Sequence, residues 1–217
     1  MFVLTFGSQF PASFFSDATM KKEFIAQASL SRAIADGRDK IADLIRGANL
    51  SSEAAQWCGV CFAEAPLEFF YMPTSSTGKY HGGQADPCNC VGGNIVHTEQ
   101  VLNTSAKVLN RYEGALGVFY EQLSECLKVG CLLHDIAKYS TGDLFVSKTH
   151  GESGAELIRS VVSNYDWAEL VCSAVANHMY YWRFLTVFDS LQAFGAGSLN
   201  GLFLCFMLSE CDYYSFR

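Results

Sequence analysis

The second half of the chain repeats apolar residues at intervals of three and four, and this spacing constrains the fold more than any other feature. Val101 and Val108 share one such face, and Leu204, Cys205 and Leu208 share another. Side chains three or four positions apart lie on one face of an α-helix. The alternation typical of β-strands is almost absent. The sequence therefore predicts an all-α fold, built as a helical bundle.

Caps and turn residues divide the chain into predicted helices. Thr149 with Glu152, and Asp166 with Glu169, have the spacing of a capping box at a helix start. Gly37 could divide the first helical stretch in two. The predicted helices cover approximately residues 17–47, 51–64, 94–112, 118–138, 149 onward, 166–180 and 199–212.

Residues 71–93 interrupt the helical pattern with glycine, proline, serine and threonine. We expect a structured loop ahead of the later helices, because long loops in compact domains tend to be functional. The predicted organisation has two parts. Residues 1–70 form an N-terminal helical extension packed on the core, and residues 71–217 form the catalytic bundle.

Composition limits the class of protein. The chain has 217 residues, 50% of them hydrophobic and 17% charged, which suits a sizeable core. The net charge is −7, and no cluster of basic residues that would bind a long nucleic acid is visible. No apolar run reaches the roughly 18 residues of a membrane span, and no secretory signal is evident. Nine cysteines are then expected to be reduced, in the cytoplasm. Phenylalanines near the N-terminus would suit a docking segment in a homo-oligomer.

Several titratable residues lie on the apolar faces of these helices. Each follows core residues by three or four positions, so it points inward: His97, His134, His178 and Asp212. A single inward histidine is more often a hydrogen-bonded core residue than a metal ligand. Several that converge from different helices satisfy one another most simply around metal ions, since a buried charge is costly when unpaired.

The order of these residues resembles the HD-domain metal-dependent phosphohydrolase superfamily, over about residues 72–212. The resemblance implies a helical fold of HD-domain type and metal-dependent phosphoester hydrolysis. The matching positions are His97 for the first motif, His134 and Asp135 for the signature pair, His150 and His178 for the histidines of two-metal members, and Asp212 for the final aspartate.

Two segments relate the chain to subfamilies. The run from His134 to Lys138 differs from the HDIGK form by one small residue, and His150–Glu156 looks like the HxxxGAE segment of HD-GYP phosphodiesterases. The chain has no GYP signature, so the resemblance does not imply the substrate of that subfamily. Residues 73–97 are similar to HD domains of phage-type proteins and of some bacterial 3′–5′ exoribonucleases. The cytoplasm in which the protein is expected could then be that of a phage-infected cell.

A mixed set of imidazoles and carboxylates suits Mn²⁺, Fe, Co²⁺, Ni²⁺ or Zn²⁺ better than Mg²⁺. We expect two divalent ions per chain, bridged by Asp135. His97, His134 and Asp212 complete the first position, while His150 and His178 hold the second. If those last two histidines contact the substrate instead, the site is mononuclear.

Other residues are candidates for substrate binding. Lys138 lies one turn after His134 and could hold a phosphate oxygen or orient the bridging carboxylate; the alternative is an exposed lysine. Lys79, Tyr80 and His81 in the glycine-rich loop could bind phosphate or stack on a base. A further candidate for phosphate binding is Arg183.

The cysteine spacing allows a second kind of metal site. Cys58 and Cys61, with Cys88 and Cys90, could form a Cys₄ zinc site that pins the loop to the preceding helix. The alternative is that these thiols are ordinary buried residues.

The leading functional hypothesis is a phosphohydrolase that acts on a nucleotide or a similar small phosphoester. A phosphodiesterase or nuclease acting on short oligonucleotides or cyclic nucleotides is the second hypothesis. The third is a non-catalytic, metal-stabilised protein that binds a nucleotide.

Overall fold

The structure is a computed structural model that describes residues 27–74, 87–139, 149–162, 167–179 and 199–215. Within these ranges every regular element is helical, which confirms the predicted all-α fold. A 3₁₀ turn, Gly117–Phe119, joins the fourth helix to the fifth. The α-helices are α1 (Gln27–Gly47), α2 (Ser52–Ala63), α3 (Glu68–Tyr71), α4 (Gly93–Leu116), α5 (Tyr120–Leu133), α6 (His150–Val161), α7 (Ala168–Asn177) and α8 (Leu199–Tyr214).

The bundle core is formed by α4, α5, α7 and α8. Helix α5 packs against the other three, α8 also packs against α4 and α7, and α6 packs against α7. Val101, Leu127, Val175 and Leu208 are fully buried between them. These residues come from the apolar faces that the sequence pattern indicated. Gly130 lets α5 approach α8, because a Cβ atom there would lie 3.2 Å from a methyl group of Leu208.

The N-terminal helices lie against this bundle. Helix α1 contacts α2, α3 and α4, and α2 contacts α5 and α6. The prediction that Gly37 divides the first helix is wrong, since α1 runs through it. Its small size serves packing instead: a Cβ atom at Gly37 would lie 2.8 Å from the carbonyl oxygen of Phe70. The domain boundary near residue 70 stays a prediction.

The two described ends of the predicted loop are held against the start of α4. The hydroxyl of Thr74 donates to the carbonyl of Gly93 at 2.8 Å. The hydroxyl of Tyr139 donates to the carbonyl of Pro73 at 2.5 Å. Gly93 allows the tightest contact, since a Cβ atom there would lie 1.8 Å from the carbonyl oxygen of Cys88. The chain therefore passes close to both α4 and the residues that follow α5.

Helix α5 is shorter than predicted. It ends at Leu133, and His134 is its C-cap residue. The next residues form tight turns, in which the amide of Ile136 donates to Leu133 at 3.1 Å and that of Lys138 to Asp135 at 2.9 Å. The signature pair therefore lies at a helix end and not within the helix.

The starts of α6 and α7 also differ from the sequence prediction. Helix α6 begins at His150, as predicted, but the side chain of Thr149 makes no capping hydrogen bond, so the capping box is not formed. Helix α7 begins at Ala168, while Asp166, its predicted cap, lies outside the described residues. Among the described helices, none combines the length and apolar character needed to cross a membrane.

Candidate metal centre

The predicted ligands converge in the bundle interior although they come from separate helices. All of them are buried. His97 comes from α4, His150 opens α6 and Asp212 comes from α8, while His134, Asp135 and His178 follow the ends of α5 and α7.

The first ligand group is formed by His97, His134 and Asp212. The Nε2 atoms of the two histidines lie 3.2 Å apart. Oδ1 of Asp212 lies 3.1 Å from Nε2 of His97 and 3.9 Å from Nε2 of His134. One cation could contact all three atoms.

The second ligand group is formed by Asp135, His150 and His178. The Nε2 atoms of these histidines are also 3.2 Å apart. Oδ1 of Asp135 lies 3.1 Å from Nε2 of His150 and 3.6 Å from Nε2 of His178. The two groups therefore repeat the same arrangement of two imidazoles and one carboxylate.

Asp135 lies between the two groups and turns one oxygen toward each. Its Oδ1 atom faces the second group, while Oδ2 lies 3.6 Å from Nε2 of His97 and 3.4 Å from Nε2 of His134. Asp135 therefore could offer a carboxylate oxygen to a cation in either group.

Helix ends orient two of the histidines. The last carbonyls of a helix have no partner within the helix, so they accept from nearby donors. His134 and His178 each follow such an end, and their Nδ1 atoms lie 2.9 Å from the carbonyl of Cys131 and 2.7 Å from that of Val175. Because a carbonyl only accepts, Nδ1 carries the proton, and Nε2 of the neutral ring is free to bind a metal.

A glycine allows the second group to close. A Cβ atom at Gly151 would lie 2.9 Å from the carbonyl oxygens of Val175 and Ala176. The start of α6 therefore touches the backbone of α7, which brings His150 to His178.

Electrostatics in the centre favour charged carboxylates. Burial would raise the pKa of Asp135, but Lys138 and His134 outweigh it and hold that pKa well below its usual range. Burial opposes ionisation of Asp212 too, but His97 lowers its pKa. Burial lowers the pKa of His97, while the neighbouring Asp135 overcomes burial and raises that of His134. The centre thus holds negative charge that a cation would offset.

One atom shows that the donors fit divalent metal ions. Oδ1 of Asp135 is buried and has no hydrogen-bond partner, although imidazole nitrogens surround it. A buried carboxylate oxygen is costly when unpaired, and the lone pair on Nε2 of neutral His178 does not satisfy it. A divalent cation would satisfy the oxygen and the nitrogens together. Imidazole with carboxylate suits first-row transition metals and zinc.

Lys138 belongs to the centre and is not a surface residue. It is buried, and its Nζ atom lies 2.6 Å from Oδ2 of Asp135. It therefore supplies positive charge beside the bridging carboxylate.

The predicted Cys₄ zinc site is not formed. The candidate metal groups among the described residues contain no cysteine. Cys58 and Cys61 are buried in α2, whereas Cys88 contacts the side chain of Gln100 and Cys90 is exposed. The spacing was misleading because the helix and the later segment turn these thiols toward different neighbours.

The predicted substrate-binding residues Lys79, Tyr80, His81 and Arg183 lie outside the described residues. One residue was missed: the hydroxyl of Ser215 lies 3.5 Å from Nδ1 of His97. A serine three positions after an aspartate carries no distinctive signal in a sequence.

The interior of this helical bundle gathers four imidazoles and two carboxylates that could hold divalent metal ions, the donor set used by many metal-dependent hydrolases. The family model of the HD domain matches residues 94–193, and this part of the chain belongs to the HD-domain family. HD domains are generally metal-dependent hydrolases. The matched residues include every ligand except Asp212, which the fold adds from α8. No curated protein and no solved structure matches the chain.

Proposed function

We propose that the chain is a metal-dependent phosphohydrolase that cleaves a phosphoester of a nucleotide or a similar small phosphorylated substrate. The observation that carries the proposal is the position of Asp135 between two matched ligand groups. Divalent ions in such a centre polarise phosphoryl oxygens and make water a nucleophile at neutral pH.

The six ligand side chains are assigned to two metal ions in this proposal. His97, His134 and Asp212 would hold one ion, His150 and His178 would hold the other, and Asp135 would offer an oxygen to each. This count of two ions is supported by the two groups of buried donors. If His150 and His178 contact the substrate instead, metal analysis will give one ion per chain.

Lys138 has a second role in the proposal. Its ammonium group lies beside the carboxylate oxygen that faces the first ligand group. An ammonium at this edge can donate to a phosphoryl oxygen and offset its charge. We propose that Lys79, Tyr80, His81 and Arg183 contribute to the substrate pocket.

The chain's charge favours a small substrate over a polymer. A net charge of −7 opposes binding to a long phosphate backbone, which depends on neutralising many phosphates. Cleavage of a short oligonucleotide remains the second candidate, and its rate would fall steeply with salt. A non-catalytic nucleotide-binding protein, the third candidate, would bind the same nucleotides but would not cleave them.

The test is a panel of mono-, di-, tri- and cyclic nucleotides and short oligonucleotides, incubated with each of Mn²⁺, Fe²⁺, Co²⁺, Ni²⁺ and Zn²⁺. Chromatography would follow the products. Asp135→Asn should abolish cleavage while the fold persists, and Glu169→Gln, a change on the exposed face of α7, should have no effect. Absence of cleavage with every metal would reject the proposal.

A further inference from the structure

Ser215, the residue after α8, connects two ligands of the first group. Its hydroxyl donates to the carbonyl of Asp212 at 2.7 Å, and the same oxygen lies 3.5 Å from Nδ1 of His97. Its backbone amide donates to the same carbonyl at 3.3 Å. The serine is therefore fixed at the end of α8 with its lone pairs toward the imidazole.

The direction of these hydrogen bonds determines the proton on His97. A carbonyl oxygen only accepts, so the hydroxyl proton of Ser215 points to Asp212. The remaining lone pairs of the hydroxyl can then accept from Nδ1 of His97, 3.5 Å away, so the contact favours a proton on that nitrogen. A neutral imidazole with its proton on Nδ1 has a lone pair on Nε2 that a cation could accept.

His97 differs from the other oriented histidines in its place on a helix. His134 and His178 follow helix ends and use backbone carbonyls three residues earlier. His97 lies inside α4, where the backbone carbonyls accept from the helix itself. An imidazole there can be oriented from another element, and Ser215 contacts it from the end of α8.

We infer that Ser215 is a positioning residue that fixes the orientation and tautomer of His97 and thereby sets the affinity of the first ligand group for its cation. The inference rests on the metal centre of the proposed function and not on the reaction. Partners of this kind change metal affinity by about 10- to 100-fold when removed.

The experiment is calorimetric titration of the metal-depleted full chain with Mn²⁺. Ser215→Ala should weaken binding at one position by about 10- to 100-fold and leave the other within about twofold. Ser215→Thr keeps the hydroxyl and should restore the affinity. Ser160→Ala is the matched control, because Ser160 also donates to a carbonyl three residues earlier, at 2.7 Å, but lies on the exposed face of α6. It should bind Mn²⁺ as the wild type does.

A second readout needs no paramagnetic ion and no substrate. Nitrogen-15 NMR of histidine-labelled protein with Zn²⁺ should show Nδ1–H for His97 in the wild type and in Ser215→Thr, and a changed signal in Ser215→Ala. Equal weakening at both positions, or an unchanged affinity, would overturn the inference, as would a wild type that binds no divalent ion. Failure to cleave phosphoesters would reject the proposed function alone.

Discussion

The ammonium of Lys138 lies 2.6 Å from Oδ2 of Asp135, and both side chains are buried. The lysine thus offsets part of the charge of the carboxylate that the two ligand groups share. We therefore expect the stability of the centre to depend on this ion pair most strongly when no metal ion is bound.

Replacing Lys138 should destabilise the metal-free protein. Lys138→Met leaves Asp135 with less compensation, and removing one partner of a buried ion pair costs about 3 kcal/mol. Added Mn²⁺ should recover much of this loss, because the cation supplies the missing charge. Urea unfolding with and without Mn²⁺ measures both effects. Lys107→Met, on the exposed side of α4, should leave stability unchanged in either condition; equal losses in the two variants would contradict the argument.

A side chain at Gly151 should separate α6 from α7. In Gly151→Ala the new Cβ atom would meet backbone oxygens of Val175 and Ala176 at 2.9 Å, and these cannot rotate away. We expect a loss of about 1–3 kcal/mol and weaker binding at the second ligand group. Thermal unfolding measures the loss of stability, and metal titration measures the affinity of the second ligand group.

The matched control for that variant is Gly59→Ala. Gly59 lies within α2 and has no atom within 4 Å of a Cβ position. Alanine is the better helix former, so this variant should gain about 0.5–1 kcal/mol. If both variants change stability in the same direction, the contact with α7 is not what excludes a side chain at residue 151.

Asn94 should reduce the stability of the fold. It is fully buried at the start of α4, and neither Oδ1 nor Nδ2 has a hydrogen-bond partner. An unsatisfied buried amide costs about 1–3 kcal/mol, and leucine has the same number and branching of side-chain heavy atoms. Asn94→Leu should therefore raise the unfolding free energy by about 1 kcal/mol, whereas Asn110→Leu, at an exposed position of α4, should not. A loss of stability in Asn94→Leu would indicate an ordered water bound to the amide.

One thiol should react much faster than the others. Cys90 is exposed, and the other eight of the nine cysteines are buried, with no disulfide among them. Burial is the main cause that raises the pKa of Cys61 and Cys126 to about 12. The thiolate is the reactive form, so at pH 8 an aromatic disulfide reagent should modify one thiol per native chain and all of them after unfolding. Loss of the fast phase in Cys90→Ser would identify the residue, and several fast thiols would contradict the burial.

The sequence indicated which residues would lie close together, because titratable residues are conspicuous on apolar helix faces. His97 and Asp212 each followed core residues at helical spacing, and the structure brings them to 3.1 Å. The pairing of His150 with His178, and of His97 with His134, depends on which helices are neighbours in space. Helical periodicity does not carry that information.

Predictions that depended on local geometry fared worse. The spacing of Cys58 and Cys61 suggested a zinc site, but α2 turns both thiols into the core. Gly37 suggested a helix break, yet it provides room for Phe70. Ser215 gave no signal, because its role arises only from the position of the end of α8 beside α4. Such contacts between distant segments require coordinates.

The contact at Gly151 has a consequence for the size of the ion that the second position accepts. The two imidazoles there extend from helices whose backbones already touch, so their separation follows from the spacing of α6 and α7 more than from side-chain rotamers. If a cation binds at this position, we expect the fixed separation of the imidazoles to favour ions of one radius. Selectivity among divalent ions would then be a property of how closely two helices pack.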